Sequence, residues 1–224
     1  MLKVGLTGGI AAGKTTVGEM LRAHGAHILK ADDLAHKLMQ PGQHVYDRVI
    51  ATFGDAILDS DRTINRPRLA DAVFPTGRIA ELNAIVHPAV ITAQDEWMAA
   101  IIQRDPSAIV VVEAALLLEA GTWKRYHRLI TVVCPLEQKI ERFAARHCIT
   151  HEEARLEVER RMKAQASDEE KIKISQYVID NSGSRAHTQA QVDRIWPELK
   201  ALSLSGAPGS SGAPDAWGAP GSRS

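Results

Sequence analysis

The sequence predicts an α/β fold in which a five-stranded parallel sheet is flanked by helices. Short apolar runs of strand length alternate along the chain with segments whose apolar residues recur at helical spacing. This order of elements is typical of a parallel sheet covered on both faces. A glycine-rich loop follows the first run, and the run at residues 108–112 is β-branched and uninterrupted, as in strands buried on both faces.

The composition restricts the class of protein. With 224 residues the chain can hold one large domain or one domain with insertions, and its 45% of hydrophobic residues is ample for a core. The 27 basic and 27 acidic residues balance, which argues against a nucleic-acid surface or a polybasic membrane patch but not against a local nucleotide site. No apolar run reaches membrane-spanning length, no signal-peptide pattern is present, and Cys134 and Cys148 make no disulfide framework. We therefore expect a cytoplasmic protein without nucleic-acid or membrane partners.

The first predicted strand, residues 4–6, leads into a segment that fits G-x-x-x-x-G-K-[ST], the phosphate-binding loop or P-loop. Gly8 and Gly13 permit backbone angles and close approaches that a Cβ would block. The loop N–H groups can then converge on phosphate oxygens at the N-terminus of the following helix. Lys14 is expected to reach the β- and γ-phosphates, and the Thr15 hydroxyl to hold Mg²⁺. The predicted nucleotide-binding residues are Gly8, Gly9, Ile10, Ala11, Ala12, Gly13, Lys14, Thr15 and Thr16.

The second predicted strand, residues 26–29, is followed by a helix that opens with two carboxylates, Asp32 and Asp33. They lie just after a strand, at the edge where open α/β sheets bind ligands, so Asp32 is a candidate for chemistry. Helix N-capping, for which Asp is favoured, is the other interpretation. Because there are two carboxylates, both interpretations can hold.

Residues 43–105 are predicted to be largely helical. This excursion between two strands is too long for a simple crossover, which suggests an inserted substrate-binding subdomain. Within it, His87 precedes Pro88. His87 either contacts substrate or packs at a helix junction, and the pattern does not separate these two alternatives.

The strand at residues 108–112 ends in Glu113. A carboxylate at the end of a strand near a P-loop can bind Mg²⁺ through water. The alternative is a solvated charge at the rim of the sheet. A fourth strand is predicted at residues 129–133 and a fifth at residues 177–179.

Arginines cluster on the helix after the fourth strand and in the charged segment beyond it. One interpretation is a mobile lid at about residues 148–173 whose arginines close over phosphates, because cations stabilise charge that spreads over the transferring oxygens. The other is a solvated helix with ion pairs between positions four apart. Residues 150–153 are typical of a capping box at the start of this helix. The candidate arginines are Arg142, Arg146 and Arg161.

The end of the chain changes in composition after a last amphipathic helix. Residues 203–224 are rich in Gly, Ser, Pro and Ala. Such a segment cannot bury enough surface to fold, so we predict a disordered tail.

Taken together, the motifs resemble those of the dephospho-coenzyme A kinase family over about residues 1–202. The resemblance extends well beyond the P-loop, which alone would indicate only a nucleotide user. The matching segments are Val-Gly-Leu-Thr-Gly-Gly-Ile and Gly-Lys-Thr-Thr at the start, Ala31-Asp32 with Leu34-Ala35-His36, Leu82 to His87-Pro88, Leu116-Leu117-Leu118-Glu119, Glu141-Arg142, the Arg161-to-Gln165 spacing, and Tyr-Val-Ile-Asp-Asn-Ser-Gly at 177–183.

Three departures from the family pattern stand in this chain. Ala11-Ala12 replaces the usual Gly-Ser inside the loop, Lys30 replaces the first carboxylate of Asp-Ala-Asp, and Ala115 replaces the proline of Pro-Leu-Leu. Ala11 is the most consequential of these, because its Cβ enters a turn that encloses phosphate. None of the changes removes Lys14, Thr15 or Asp32, so an active enzyme is expected.

The resemblance implies a P-loop kinase with a helical insertion and a lid, acting as a monomer or weak homo-oligomer. It would transfer the γ-phosphoryl group of ATP, with Mg²⁺, to the ribose 3′-hydroxyl of dephospho-CoA. Asp32 would correspond to the catalytic acid, and Lys14 and Arg142 would stabilise the transferring group. The residues expected to shape the acceptor site are Asp32, His87, Leu116 and Leu117.

Three other classes remain open at this stage. Another small-molecule or nucleoside monophosphate kinase would share the loop and the lid. A regulatory GTPase would need an Asn-Lys-x-Asp motif, which the sequence lacks. A nucleotide-binding module without catalysis would bind nucleotide but release no ADP in response to an acceptor.

Overall fold

The computed structural model describes residues 1–205 and divides them into two compact units. One unit comprises Met1–Ile28 with the chain from Asp105 onward, and the other is Leu29–Arg104. The strands are β1 Leu2–Gly8, β2 His27–Lys30, β3 Ile109–Glu113, β4 Arg128–Val133 and β5 Tyr177–Asp180. The helices are α1 Lys14–Ala23, α2 Ala31–Leu38, α3 His44–Phe53, α4 Arg66–Val73, α5 Ile79–Ile102, α6 Leu136–His147, α7 His151–Lys163, α8 Asp168–Ile174 and α9 Arg185–Leu204.

The five strands form one parallel sheet in the order β2-β3-β1-β4-β5, which confirms the predicted α/β fold. β1 lies in the centre, where Val4 pairs with Val111 on one side and Leu6 with Ile130 on the other. Every residue of β3 is buried, as the uninterrupted β-branched run predicts. The loop after β1 therefore emerges from the middle of the sheet, at the carboxyl ends of its strands.

The two faces of the sheet are covered by different elements. Alternate side chains of β1, β3 and β4 point to one face and pack with apolar residues of α1 and α9. Those helices contribute Val17, Leu21, Val192, Ile195 and Leu199. On the other face α8 packs against β4 and β1. The Oγ atoms of Thr131 in β4 and Ser175 after α8 are 2.6 Å apart there.

The unit Leu29–Arg104 has a hydrophobic core of its own. Its buried residues come from α3, α4, α5 and the turn between α3 and α4, and apolar residues of α2 pack against them. The members are Val45, Tyr46, Val49, Ile57, Leu58, Leu69, Val73, Ile85 and Val86. The unit thus includes α2 in addition to the helical stretch predicted at residues 43–105.

His87 does not pack at a helix junction, which was one of the two alternatives for this residue. α5 runs without interruption from Ile79 to Ile102, and Pro88 lies inside it. A proline removes one backbone hydrogen bond, but the buried side chains of Ile85 and Val86 hold this part of the helix in the core. His87 itself is exposed on the helix surface.

The last helix is slightly longer than predicted. α9 continues to Leu204, with Ser203 buried, so residues 203 and 204 are helical. Residues 206–224 of the predicted tail lie outside the described residues. Within residues 1–205, no helix is long and apolar enough to cross a membrane.

Candidate active site

The loop between β1 and α1 depends on glycine at both of its ends. Gly8 has φ 150°, and a Cβ there would lie 2.3 Å from the backbone oxygen of Val132. Gly13 has φ 100°, and a Cβ there would lie 1.9 Å from Nδ2 of Asn181. Neither position can accept a side chain without rearrangement, as the P-loop pattern predicts.

Lys14 begins α1 and turns back over the loop. Its Nζ donates hydrogen bonds to the carbonyl oxygens of Gly8 at 3.1 Å and Gly9 at 3.0 Å. The first turn of α1 carries no acidic residue, so no side-chain carboxylate of that turn offsets the positive end of the helix dipole. This geometry suits an anion at the N-terminus of the helix.

Thr15 is tied to the neighbouring strand through Glu113. The Thr15 hydroxyl donates a 2.8 Å hydrogen bond to Oε1 of Glu113, which is only 8% exposed. The interpretation of Glu113 as a solvated rim charge is therefore wrong. Its second oxygen, Oε2, is buried and has no hydrogen-bond partner among residues 1–205. A hydroxyl beside a buried carboxylate oxygen fits Mg²⁺, which takes few protein ligands and keeps waters and phosphate oxygens.

Two of the candidate arginines, Arg142 and Arg146 of α6, line a cavity of about 420 Å³ beside the loop. This volume lies within the range of small-molecule sites. Nη2 of Arg142 donates to the backbone oxygen of Asn181 at 2.8 Å, whereas Nη1 is buried without a partner in the described chain. A third arginine, Arg185, also lines the cavity and was not predicted from the sequence. The wall next to the loop consists of Ala11, Gly13 and Thr16.

Arg161, the third candidate, is engaged elsewhere in this structure. Its Nε donates to Glu157 at 2.5 Å, and its guanidinium lies over the Phe143 ring at 5.5 Å. Arg160 also pairs with Glu157, and the hydrogen bond from Arg160 is the main reason that the pKa of Glu157 falls to about 2. The capping box predicted at the start of α7 is confirmed, between Thr150 and Glu153. α7 thus has the predicted intrahelical ion pairs, and lid closure by Arg161 stays a prediction.

Ala11 adopts a left-handed backbone conformation with φ 54°. This conformation costs a residue with a side chain about 1–2 kcal/mol relative to the right-handed one. The Ala11 methyl group is buried and packs in an apolar cluster with Phe143 of α6 and with Ala154 and Val158 of α7. The substitution that departs from the family pattern therefore places its Cβ against these helices.

Asn181, which follows β5, connects three segments around the loop and was missed as a site residue. Its Nδ2 donates to the backbone oxygen of Ala12 at 2.9 Å, and its Oδ1 accepts from the Thr188 hydroxyl at 2.9 Å. Its backbone oxygen holds Arg142. The closing Val-Ile-Asp-Asn run was the sequence signal that could have identified it.

Asp32 and His87 belong to the unit Leu29–Arg104, and both are exposed. Asp32 and Asp33 lie in the first turn of α2, where the helix dipole interacts favourably with carboxylates. Neither is the N-cap, because that position is occupied by Lys30, so the N-capping interpretation is wrong. The catalytic role of Asp32 and the substrate contact of His87 stay predictions.

The two leucines expected at the acceptor site differ in exposure. Leu116 is 49% exposed, whereas Leu117 is 3% exposed and packs beside Gly5 of β1. Of the two, Leu116 presents its side chain to solvent. Their roles toward an acceptor stay predictions.

Comparisons with known proteins agree with this geometry. The family model described as dephospho-CoA kinase matches residues 2–187. A dephospho-CoA kinase from Aquifex aeolicus is 41% identical over 200 residues, covering 89% of this chain and 98% of the relative. One from Syntrophus aciditrophicus is 40% identical over 200 residues, covering 89% and 83%.

Solved structures show the same fold. A Thermus thermophilus protein superposes with a TM-score of 0.73 at 32% identity, covering 88% of this chain and 97% of that protein. The dephospho-CoA kinase of Campylobacter jejuni superposes with a TM-score of 0.64 at 23% identity, covering 89% and 98%. With the family model and the relatives in agreement along most of the chain, the protein belongs to the dephospho-CoA kinase family.

Proposed function

We propose that this chain phosphorylates the ribose 3′-hydroxyl of dephospho-CoA with ATP, giving coenzyme A and ADP. The observation that supports this most directly is the arrangement around the loop. Lys14 lies over its carbonyls, Thr15 is bonded to a buried Glu113, and an arginine-lined cavity adjoins it. The identity of the substrate is inferred from family membership, because the geometry of the described residues does not identify it alone.

In this reaction the ribose 3′-oxygen forms a bond to the γ-phosphorus, and the bond from that phosphorus to the β–γ bridging oxygen breaks. The loop N–H groups and Lys14 hold the triphosphate, and Lys14 neutralises charge that develops on the transferring group. Arg142 and Arg146 bind the nucleotide from α6, with Nη1 of Arg142 as the buried donor still to be satisfied. The protein contributes mainly positioning and electrostatic stabilisation.

Mg²⁺ would be held by the Thr15 hydroxyl, with Glu113 as a partner through water. When bound, it would supply positive charge that offsets the negative charge of the phosphates. The buried Oε2 of Glu113, which lacks a partner within the described residues, supports this assignment. The remaining steps are carried by side chains of the protein.

On the acceptor side, Asp32 orients the 3′-hydroxyl and accepts its proton. Of the residues expected at the acceptor site, His87 and Leu116 are exposed and can contact dephospho-CoA, whereas Leu117 is buried. The position of Asp32 directly after β2, at the start of α2, supports the proposal. Following what the resemblance to the family implies, we propose a cytoplasmic enzyme that works as a monomer or weak homo-oligomer.

The proposal is tested by coupled measurement of ADP release from Mg-ATP by the purified chain, with and without dephospho-CoA. We expect ADP release to depend on dephospho-CoA and to be accompanied by coenzyme A, identified by mass. AMP serves as a comparison acceptor and Lys14→Met as an inactive control. ADP release that dephospho-CoA does not accelerate, or that AMP accelerates equally, would contradict the proposal.

A further inference from the structure

A buried ion pair lies beside the phosphate-binding loop and has no part in the mechanism above. Lys139 of α6 has a side chain only 2% exposed, and its Nζ donates to Oδ2 of Asp168 at 2.5 Å. Asp168 is the first residue of α8, and its side chain is 23% exposed. The pair thus joins α6 to the N-terminus of α8.

The pair faces Gly9, the second residue of the loop. A Cβ on Gly9 would lie 3.1 Å from Nζ of Lys139 and 3.2 Å from Oδ1 of Asp168. The carbonyl oxygen of Gly9 accepts a hydrogen bond from Lys14 at 3.0 Å. Gly9 is therefore close to two ammonium groups, that of Lys14 and the buried one of Lys139.

Stability does not account for this arrangement. Replacing a buried ion pair by apolar side chains of similar volume is often neutral or stabilising. Lys139 is followed on α6 by Ile140 and, one turn on, by Phe143, which are buried in an apolar cluster that includes Ile10 and Ala11 of the loop. Apolar side chains thus occupy the next position and the next turn of the same helix, whereas the buried position 139 has a charge.

A charge at this point acts on whatever anion the loop holds. Interactions between charges are stronger where water is excluded, because the effective dielectric constant is lower there than in bulk water. The Lys139 ammonium favours a bound phosphate, whereas an unpaired Asp168 carboxylate would oppose it. Since Lys139 is almost fully buried, it acts through the loop backbone and not by enclosing the phosphate itself.

We propose that Lys139 is a positioning residue for the nucleotide: its ammonium, paired with Asp168, offsets the charge of that carboxylate beside Gly9, so that the phosphates held by the loop do not face an unpaired negative charge. α8 then influences ATP affinity through the residue at its first position. This rests on the proposed function in one respect, namely that the phosphates of ATP occupy the loop.

The chain provides a matched control, a second buried lysine that pairs with a carboxylate. Lys171 of α8 is fully buried and pairs with Glu119 at 3.5 Å. Neither Lys171 nor Glu119 is among the nearest neighbours of the loop glycines Gly8, Gly9 and Gly13. Removing Lys171 tests the general effect of losing a buried lysine on α8 without changing the charge next to Gly9.

The test measures the Kd of Mg-ATP by isothermal titration calorimetry on the full chain. Lys139→Met leaves Asp168 unpaired beside the loop and is expected to weaken binding about tenfold, as a unit charge roughly 10 Å from a phosphate does at an effective dielectric constant of about 20. Asp168→Asn leaves the ammonium uncompensated and is expected to leave the Kd unchanged or to lower it. Lys139→Arg keeps the charge and should stay within about threefold of the parent chain, and Lys171→Met should not move the Kd.

The direction of the change distinguishes this role from a structural one. A pair that only stabilises the fold would give weaker ATP binding in both Lys139→Met and Asp168→Asn, and that result overturns the proposal. An unchanged Kd in Lys139→Met also overturns it. If Lys139→Met does not fold, Asp168→Asn decides alone, because weaker binding by that variant contradicts the proposed charge effect. Transfer to dephospho-CoA by the parent chain is measured first, so that failure of the proposed function is recognised separately.

Discussion

Thr15 and Glu113 are 98 positions apart in the chain and form a 2.8 Å hydrogen bond between hydroxyl and carboxylate. The contact joins the first turn of α1 to the last residue of β3. It brings together the two oxygen-bearing side chains that the sequence suggested for Mg²⁺. Because Glu113 is buried, the orientation of its other carboxylate oxygen, Oε2, is set by the surrounding protein and not by solvent.

Glu113→Gln is expected to raise the Mg²⁺ concentration for half-maximal activity about tenfold or more, because loss of a group that orients a metal ligand typically costs 10–100-fold in affinity or activity. Initial rates at saturating ATP and dephospho-CoA over a Mg²⁺ series measure this. Thr15→Ser keeps the hydroxyl and serves as the control. An unchanged Mg²⁺ dependence in Glu113→Gln would exclude the assigned role.

Asp32→Asn is expected to retain ATP affinity and to lose transfer by about 10²–10⁴-fold, the usual contribution of a positioned acid or base. Asp33→Asn is the matched control, since Asp33 is the next residue and is also exposed in the first turn of α2. Single-turnover rates and ATP Kd values are compared for the two variants. Turnover by Asp32→Asn at the rate of Asp33→Asn would remove Asp32 from the mechanism.

Asn181→Ala is expected to lower the free energy of unfolding by about 1–3 kcal/mol, because the buried carbonyl of Ala12 and hydroxyl of Thr188 would each lose a partner. Urea denaturation measures the change. Asn181→Asp keeps the acceptor for Thr188 but loses the donor to Ala12, so it separates the two contacts. A change below about 0.5 kcal/mol in Asn181→Ala would show that the contacts do not support the loop.

The ion pairs of Glu157 lead to a prediction about the stability of the protein at low pH. Its pKa is lowered from 4.5 to about 2 in the folded chain, so its stabilising effect is present above pH 4.5 and is lost as the pH falls toward 2. The exposure of Arg160 and Arg161 limits the effect to about 1 kcal/mol or less. The difference in unfolding free energy between the parent chain and Glu157→Gln should shrink steadily from pH 5 to pH 2. A difference that grows in acid would contradict the assignment.

The parts of the fold that sequence predicts well are those that depend on neighbouring residues. The buried strand β3, the P-loop and the capping box of α7 each follow from a local pattern of side chains. Strand boundaries differ by one or two residues, as at β2, which runs from His27 to Lys30, and at β1, which runs from Leu2 to Gly8. α5 continues through Pro88 although proline usually ends a helix, because here core packing outweighs the lost hydrogen bond.

The site residues that were missed depend on contacts between distant segments. Asn181 meets Ala12 across 169 positions, and no periodicity reveals such a contact. Lys139 is buried although lysine is almost always exposed, and only the position of Asp168 explains it. Arg142 was a candidate because arginine near a P-loop has a chemical purpose, whereas the only signal for its partner Asn181 was the closing Val-Ile-Asp-Asn run.

The packing of Ala11 has a consequence for how the protein can move. Its methyl group lies in the same apolar cluster as Ala154 and Val158 of α7, so α7 cannot leave its place without exposing that cluster to water. Adjustment to a nucleotide should then come from arginine side chains turning on a stationary helix. Amide protons of Ala154 and Val158 would exchange slowly with and without ATP, and rapid exchange in the free protein would show instead that the helix detaches.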